Sequence, residues 1–123
     1  MSLDVSVYLD GYHGDNCRTV LVEKETPTEM VTIDTDDEDQ IQRAKLIMEA
    51  TEEALLEAIS VCHAGVEISE VGRVTHEIAE RYGFRPLKNV CGHGIGRHLH
   101  MLPEVKVRLY RSLRQLHFEQ IGI

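Results

Sequence analysis

The ten residues from Cys91 to His100, CGHGIGRHLH, contain three histidines and three glycines. The glycines do not form a phosphate-binding loop, because neither G-x-x-x-x-G-K-[ST] nor the spacing of a dinucleotide fingerprint is present. We expect them to allow a close backbone approach or a positive φ. Neutral imidazole is the commonest metal ligand among side chains. His93, which has glycine on both sides, is therefore the candidate ligand, whereas we expect His98 to be an ordinary exposed side chain.

A β-hairpin is predicted at the start of the chain. The segment 3–9, LDVSVYL, alternates apolar and polar residues, as does one strand of a half-buried sheet. Asp10-Gly11 follows, and this dipeptide favours a two-residue type I′ turn. A second strand-like run extends from Cys17 to Glu23.

This hairpin brings two carboxylates to one face. The turn pairs Asp4 with Cys17, so that Asp15 lies diagonal to Asp4 within about 7–8 Å, unless a bulge at Gly14 shifts the register. Two ionised carboxylates repel each other unless a cation lies between them. With His93 they form a ligand set for Mn, Fe, Co or Zn rather than for Ca. The alternative, that both aspartates are surface residues of an edge strand, stays open.

Two helices are predicted between these segments. The first runs from about Asp37 to Cys62, with N-cap candidates at 35–37, and the second from Ile68 to Tyr82, ending at Gly83. The apolar face predicted for the first helix comprises Ile41, Ala44, Met48, Leu55, Ala58, Ile59 and Cys62. The acidic stretch from Glu23 to Asp39 is interpreted as a solvated loop.

The bulk properties restrict the classes of function. The chain has 123 residues, about one ordinary domain, and a net charge of −8, which disfavours nucleic acid and anionic membranes as partners. The three cysteines do not form a CxxC motif and are interpreted as reduced thiols. There is no apolar run of about 18 residues and no signal-peptide pattern, so we expect a cytoplasmic protein.

Two segments, LDVSVYLDGYHGDNCRTVLV and CGHGIGRHLHMLPEV, resemble the ligand-bearing segments of the type I methionine aminopeptidases of metallopeptidase family M24. The likeness extends from about Ser2 to Val105. It implies part of the pita-bread fold, an α+β class in which a curved antiparallel sheet has helices packed on one face. We expect residues 1–105 to be an incomplete aminopeptidase catalytic domain, and 106–123 an atypical basic tail.

The resemblance also implies the roles of individual residues. Asp4, Asp15 and His93 match metal ligands of the family, and His100 matches a catalytic histidine that contacts the substrate. The implied reaction is removal of N-terminal methionine from peptides and nascent proteins by a metal-activated hydroxide, with His100 donating to the developing oxyanion. Two divalent ions, of Co, Mn, Fe or Zn, are implied in a complete site. The ribosome is a further candidate partner.

Several family features have no match in this chain. Two glutamate ligands C-terminal to the histidine segment and a histidine upstream of the hairpin are missing, and the surroundings of Glu119 do not fit a ligand. We therefore expect a fragment with reduced or no activity, whose tail is either frame-altered or a genuine terminal helix. An N-terminally truncated eukaryotic protein would be mitochondrial. The alternatives are a non-catalytic binding module of the same fold and a peptidase that cuts Xaa-Pro bonds.

Overall fold

The computed structural model describes residues 1–22 and 38–107. Its elements, in chain order, are β1 (Ser2–Leu9), β2 (Tyr12–Thr19), α1 (Glu38–Ser60), α2 (Ser69–Arg81), β3 (Cys91–Gly94) and β4 (Met101–Lys106). The predicted α+β class is confirmed. Its antiparallel sheet consists, over the described residues, of two hairpins, β1–β2 and β3–β4, rather than one continuous ladder. The N-cap candidates at 35–37, most of the acidic stretch and the tail from 108 onward, including Glu119, lie outside the described residues.

The first hairpin has the predicted turn and register. Asp10 and Gly11 have φ values of 50° and 90°, the positive values that a type I′ turn requires at both central positions. Gly14 pairs directly with Val7, so no bulge shifts the ladder. The run predicted as the second strand, Cys17 to Glu23, was placed too late. Because strand pairing begins directly after the Asp10-Gly11 turn, β2 begins at Tyr12 and ends at Thr19.

The two faces of this hairpin differ in chemistry. One face carries Leu3, Val5, Val7 and Leu9, which are 48–72% exposed. The prediction that this strand is half-buried is therefore wrong for the described part of the chain, where no element covers that face. The opposite face is polar, and its cross-strand partners bond in pairs: the hydroxyls of Ser2 and Thr19 lie 2.9 Å apart.

The helices pack against each other through small residues. The buried positions of α1 are Ala50, Ala54 and Ala58, and those of α2 are Gly72, Val74 and Ile78. The predicted face of α1 is thus right at Ala58 and wrong at Leu55, Ile59 and Cys62, which are exposed. Alanine side chains allow the two helix backbones to approach closely, so the alanine stripe forms the contact although its hydrophobicity is weak.

The C-terminus of α2 is closed by a Schellman motif. Gly83 has φ +77°, its N–H donates to the Glu80 carbonyl at 2.9 Å, and the N–H of Phe84 donates to the Ala79 carbonyl at 2.8 Å. These bonds satisfy carbonyls that the helix end would otherwise leave without a donor. The predicted stop at Gly83 is confirmed.

A polar cluster links the two helices next to this motif. The hydroxyl of Tyr82 donates to Glu53 at 2.6 Å, and the guanidinium of Arg81 lies 2.6 Å from the same carboxylate. The hydrogen bond from Tyr82, together with the charge of Arg81, lowers the pKa of Glu53. The carboxylate in turn raises the pKa of Tyr82 to about 12. The cluster therefore favours the ionised carboxylate and the protonated phenol, the pair present at neutral pH.

The second hairpin contains an irregularity at the histidine segment. His93 pairs with Glu104, but its neighbour Gly94 pairs with Met101. The two residues of β4 between these positions have no partner on β3 and form a bulge. Strand β4 contacts α2 and continues to Lys106, one residue past the boundary drawn from the sequence. Within the described ranges, no helix has both the length and the apolar character needed to cross a membrane.

Candidate metal centre

The polar face of the first hairpin holds both candidate aspartates. The register sets Asp4 opposite Cys17 and Asp15 opposite Ser6, which makes the two carboxylates diagonal neighbours on one face. The hydroxyl of Ser6 donates to Asp15 Oδ1 at 2.7 Å. This bond occupies one carboxylate oxygen, and the other, Oδ2, lies toward the second hairpin.

His93 presents one ring nitrogen to that carboxylate. Its Nδ1 lies 3.0 Å from the Gly94 carbonyl oxygen. Because a carbonyl only accepts hydrogen bonds, Nδ1 carries the proton in this contact, and Nε2 of the neutral ring has a free lone pair. Metal-ligating histidines are commonly held by such a bond from the other ring nitrogen to a backbone carbonyl.

The separation between the two side chains suits a cation. Nε2 of His93 lies 3.8 Å from Oδ2 of Asp15, and the two side chains are 24% and 27% exposed. This distance is too long for a hydrogen bond. Bonds from Zn to imidazole nitrogen and carboxylate oxygen are about 2.0–2.2 Å long, so two adjacent donors of a tetrahedral ion lie about 3.4 Å apart. The observed separation is a few tenths of an ångström longer, so a small adjustment of the side chains brings both atoms within bonding distance of one divalent ion.

The described residues supply only part of a coordination sphere. Across 1–22 and 38–107, no three His, Cys, Asp or Glu side chains form a group able to hold a metal ion. The structure brings Asp15 and His93 together and places Asp4 on the same strand face, but Asp4 does not complete a three-donor group with them. The ligand set Asp4, Asp15 and His93 remains a prediction.

His100 lies beside the candidate ligand His93. Its ring centroid is 4.5 Å from that of His93, in an edge-to-face arrangement at 64°. His100 is also exposed, so its ring is available to a molecule that approaches the pair from solvent. His98 is exposed as well, and its carbonyl accepts the N–H of Gly96 at 3.2 Å, which agrees with the ordinary role expected for its side chain.

One residue at the site, His13, has no role in the sequence-based prediction. Its backbone N–H donates to the Gly96 carbonyl at 2.8 Å, and its ring Nδ1 lies 3.1 Å from the same oxygen. The motif letters HGD include this histidine, but its partner is a backbone carbonyl 83 positions away. A backbone acceptor leaves no signal in the sequence, so only the folded arrangement reveals the contact.

The fold and the donor pair together define a class of protein, an α+β domain that carries a carboxylate and an imidazole on facing hairpins. Comparison with known proteins narrows this class. The sequence model of Metallopeptidase family M24 matches residues 1–117. The chain belongs to this family, and the match includes part of the basic tail.

The chain is also similar to individual methionine aminopeptidases. It is 34% identical over 105 residues to methionine aminopeptidase 1D, chloroplastic/mitochondrial, of Arabidopsis thaliana, covering 85% of this chain and 26% of that protein. It is likewise 34% identical over 105 residues to the methionine aminopeptidase of Aquifex aeolicus, covering 85% and 35%. The crystal structure of the Thermotoga maritima methionine aminopeptidase superposes with a TM-score of 0.72 at 26% identity, covering 94% of this chain and 41% of that chain.

These comparisons establish the fold and its extent. The described hairpins and helices form part of the pita-bread fold of the methionine aminopeptidases. The chain spans about a quarter to a third of the length of the two curated relatives.

Proposed function

We propose that this chain is a metal-binding portion of a methionine aminopeptidase, an enzyme that removes methionine from the N-terminus of peptides and nascent proteins. The observation that carries the proposal is the His93–Asp15 pair, in which a lone pair on Nε2 faces a carboxylate oxygen at 3.8 Å. The similarity to methionine aminopeptidases supports the choice of substrate. A cytoplasmic location, or a mitochondrial one in a eukaryote, and an encounter with the ribosome are parts of the same proposal.

Each residue of the site has a distinct task in this proposal. Asp4, Asp15 and His93 hold the divalent ion or ions, of Co, Mn, Fe or Zn and two in a complete site, with Ser6 and the Gly94 carbonyl orienting Asp15 and His93. When bound, such ions activate water as a nucleophile and polarise the scissile carbonyl. His100, exposed beside His93, donates a hydrogen bond to the oxygen on which negative charge develops.

Activity of the chain by itself is expected to be low. The resemblance requires two glutamate ligands that the described residues do not supply, and the chain covers only 26% and 35% of the two curated relatives. The proposal therefore separates into metal binding, which these residues support directly, and hydrolysis, which needs the rest of the ligand set.

Metal binding is tested by calorimetric titration of the purified chain with Co²⁺ and Mn²⁺. We expect binding by the unaltered chain, and a loss of about 10–100-fold or more in affinity for His93→Gln. His98→Gln, which changes the same residue type in the same loop, is the matched control and should bind as the unaltered chain does. Equal affinities for these two variants, or no binding by a folded chain, would overturn the site.

The reaction is tested by release of the N-terminal residue from short peptides. Slow release of methionine from a Met-Ala peptide, and none from an Xaa-Pro peptide, is the expected result. Cleavage of the Xaa-Pro peptide alone would show that the chain catalyses a different reaction of the family, hydrolysis of Xaa-Pro bonds. Metal binding without release from either peptide is expected both for an inactive fragment and for a non-catalytic module of this fold. A specific protein partner alongside absent hydrolysis would favour the module.

A further inference from the structure

The two hairpins that form the site are joined through His13. Both the backbone N–H and the ring Nδ1 of this residue contact the Gly96 carbonyl oxygen, at 2.8 and 3.1 Å. Two further contacts between the hairpins are longer. Asp15 and His93 are 3.8 Å apart, and the guanidinium of Arg97 lies 5.5 Å from the ring centroid of Tyr12.

The contact defines which nitrogen of His13 carries a proton. The acceptor is a carbonyl oxygen, so Nδ1 must be the donor and the ring is in the Nδ1–H form. The ring is held from its other side by Tyr8, its cross-strand partner, with the two centroids 4.7 Å apart at 53°. Both a donor and a packing contact therefore set the position of His13.

The position of His13 relates it directly to the candidate ligands. It lies two residues before Asp15 on β2, hence on the same strand face, and Gly96 lies three residues after His93. The His13–Gly96 bond and the Asp15–His93 pair thus connect the same two segments at neighbouring points. Loss of the ring bond leaves the backbone N–H of His13 as the remaining donor to the Gly96 carbonyl. The loop of residues 95–100 is then held less firmly, and the 3.8 Å separation between Asp15 and His93 can change.

We infer that His13 is a positioning residue, which holds the histidine segment against the hairpin so that Asp15 and His93 face each other across the candidate metal position. This inference rests on the proposed function. His13 does not contact the ion itself. Its effect passes through the Gly96 carbonyl, in the way that residues behind metal ligands commonly tune affinity by 10–100-fold.

Two substitutions distinguish the contribution of the N–H donor of His13 from that of its aromatic ring. His13→Asn retains an N–H donor close to the position of Nδ1 and loses the aromatic ring, whereas His13→Phe retains a ring against Tyr8 and has no donor. Calorimetric titration of the full chain with Co²⁺ is expected to show a loss of about 10–100-fold in affinity for His13→Phe, and recovery of most of that loss in His13→Asn. The inference is wrong if His13→Phe binds Co²⁺ as the unaltered chain does, or if His13→Asn loses as much affinity as His13→Phe.

A second measurement needs neither a variant nor a metal. Long-range ¹H–¹⁵N NMR spectra of the unaltered chain report which ring nitrogen of each histidine is protonated. We expect His13 to be in the Nδ1–H form, with a nuclear Overhauser contact between its ring and the 95–97 backbone. If the chain binds no metal but His13 shows the Nδ1–H form and the contact with the 95–97 backbone, the proposed metal site is wrong. The role of His13 in holding the two hairpins together is then still supported. The Nε2–H form, or no such contact, overturns the inference.

Discussion

At Gly94, strand β3 passes against the backbone of β4. A Cβ atom built at this position would overlap the carbonyl oxygen of Leu102 and lie 2.9 Å from its carbonyl carbon. The glycines of the histidine segment had two explanations, close backbone approach or positive φ. The structure selects the first at Gly94, since the positive-φ glycines of the described chain are Gly11, Gly65 and Gly83.

The substitution Gly94→Ala tests this close approach. We expect a cost of about 1–3 kcal/mol in the free energy of unfolding, because the added methyl meets rigid backbone and forces the strands apart. Since His93 is adjacent, affinity for Co²⁺ should fall as well. The measurements are urea unfolding and calorimetric titration.

Gly96→Ala is the matched control for that substitution. A Cβ at Gly96 would meet only the Met101 sulfur, at 3.4 Å, and this flexible thioether can move aside. The midpoint of its urea unfolding should therefore stay close to that of the unaltered chain. Equal midpoints for the two alanine variants would contradict the role assigned to Gly94.

The sequence predicts part of the site for identifiable reasons. The Asp10-Gly11 turn sets the register, the register puts Asp4 and Asp15 on one face, and the glycines beside His93 single out that histidine. The contacts that orient these groups run through backbone carbonyls, at Gly94 for His93 and at Gly96 for His13. Every residue offers a carbonyl, so residue types carry no information about which one is used.

At the scale of elements, the helix pair depends on a very small apolar core. The cluster at its centre comprises Ala54, Val74 and Ile78, with Val61 and Tyr82 packed against it. Ile78 is 2% exposed, whereas Ile59 on α1 is 59% exposed. Two isoleucines of the same helix pair thus have opposite environments.

Truncation of these two isoleucines should have very different effects. Ile78→Ala removes buried methyl and methylene groups and leaves a cavity, which costs about 2–5 kcal/mol in the free energy of unfolding. Ile59→Ala removes the same atoms from a solvent-exposed position, where changes are usually within about 0.5 kcal/mol. The midpoints of urea unfolding, followed by helical circular dichroism, compare them. A similar loss for both would mean that Ile59 is covered in solution.

The positions of the two helices can be predicted from the periodicity of apolar residues and from the residues at the helix ends, and the observed limits lie within two residues of the predicted ones. The buried side of α1 cannot be predicted in the same way. Leu55 and Ile59 dominate any hydrophobic pattern, but contact with α2 is made by alanines spaced four apart. Close packing of helix backbones rewards small side chains, and a pattern based on hydrophobicity gives these little weight.

At the scale of the whole molecule, the described residues bury little and expose much. The buried apolar residues among them are Ala50, Ala54, Ala58, Ile68, Val74 and Ile78. The apolar face of β1 remains exposed, and each described sheet has two strands, so every strand has one edge without a ladder partner. Exposed apolar faces next to open strand edges are sites of association between chains.

We therefore expect the chain to self-associate through the β1 face, in spite of its net charge of −8. The average sedimentation coefficient should rise with protein concentration. The double variant Val5→Thr, Val7→Thr should weaken this rise, because threonine preserves the β-branched shape and strand preference while adding a hydroxyl to each exposed position. Association is driven by apolar surface, so added salt should strengthen it by screening the like charges of the chains.

Leu46→Gln provides the control for that variant. Leu46 is 41% exposed on α1, one helical turn before Ala50, so its replacement removes apolar surface elsewhere than on the hairpin. Its concentration dependence should match that of the unaltered chain. A sedimentation coefficient that stays constant with concentration in the unaltered chain would show that the β1 face is covered within the monomer. If both variants reduce the concentration dependence equally, association depends on the total exposed apolar surface and is not specific to the hairpin.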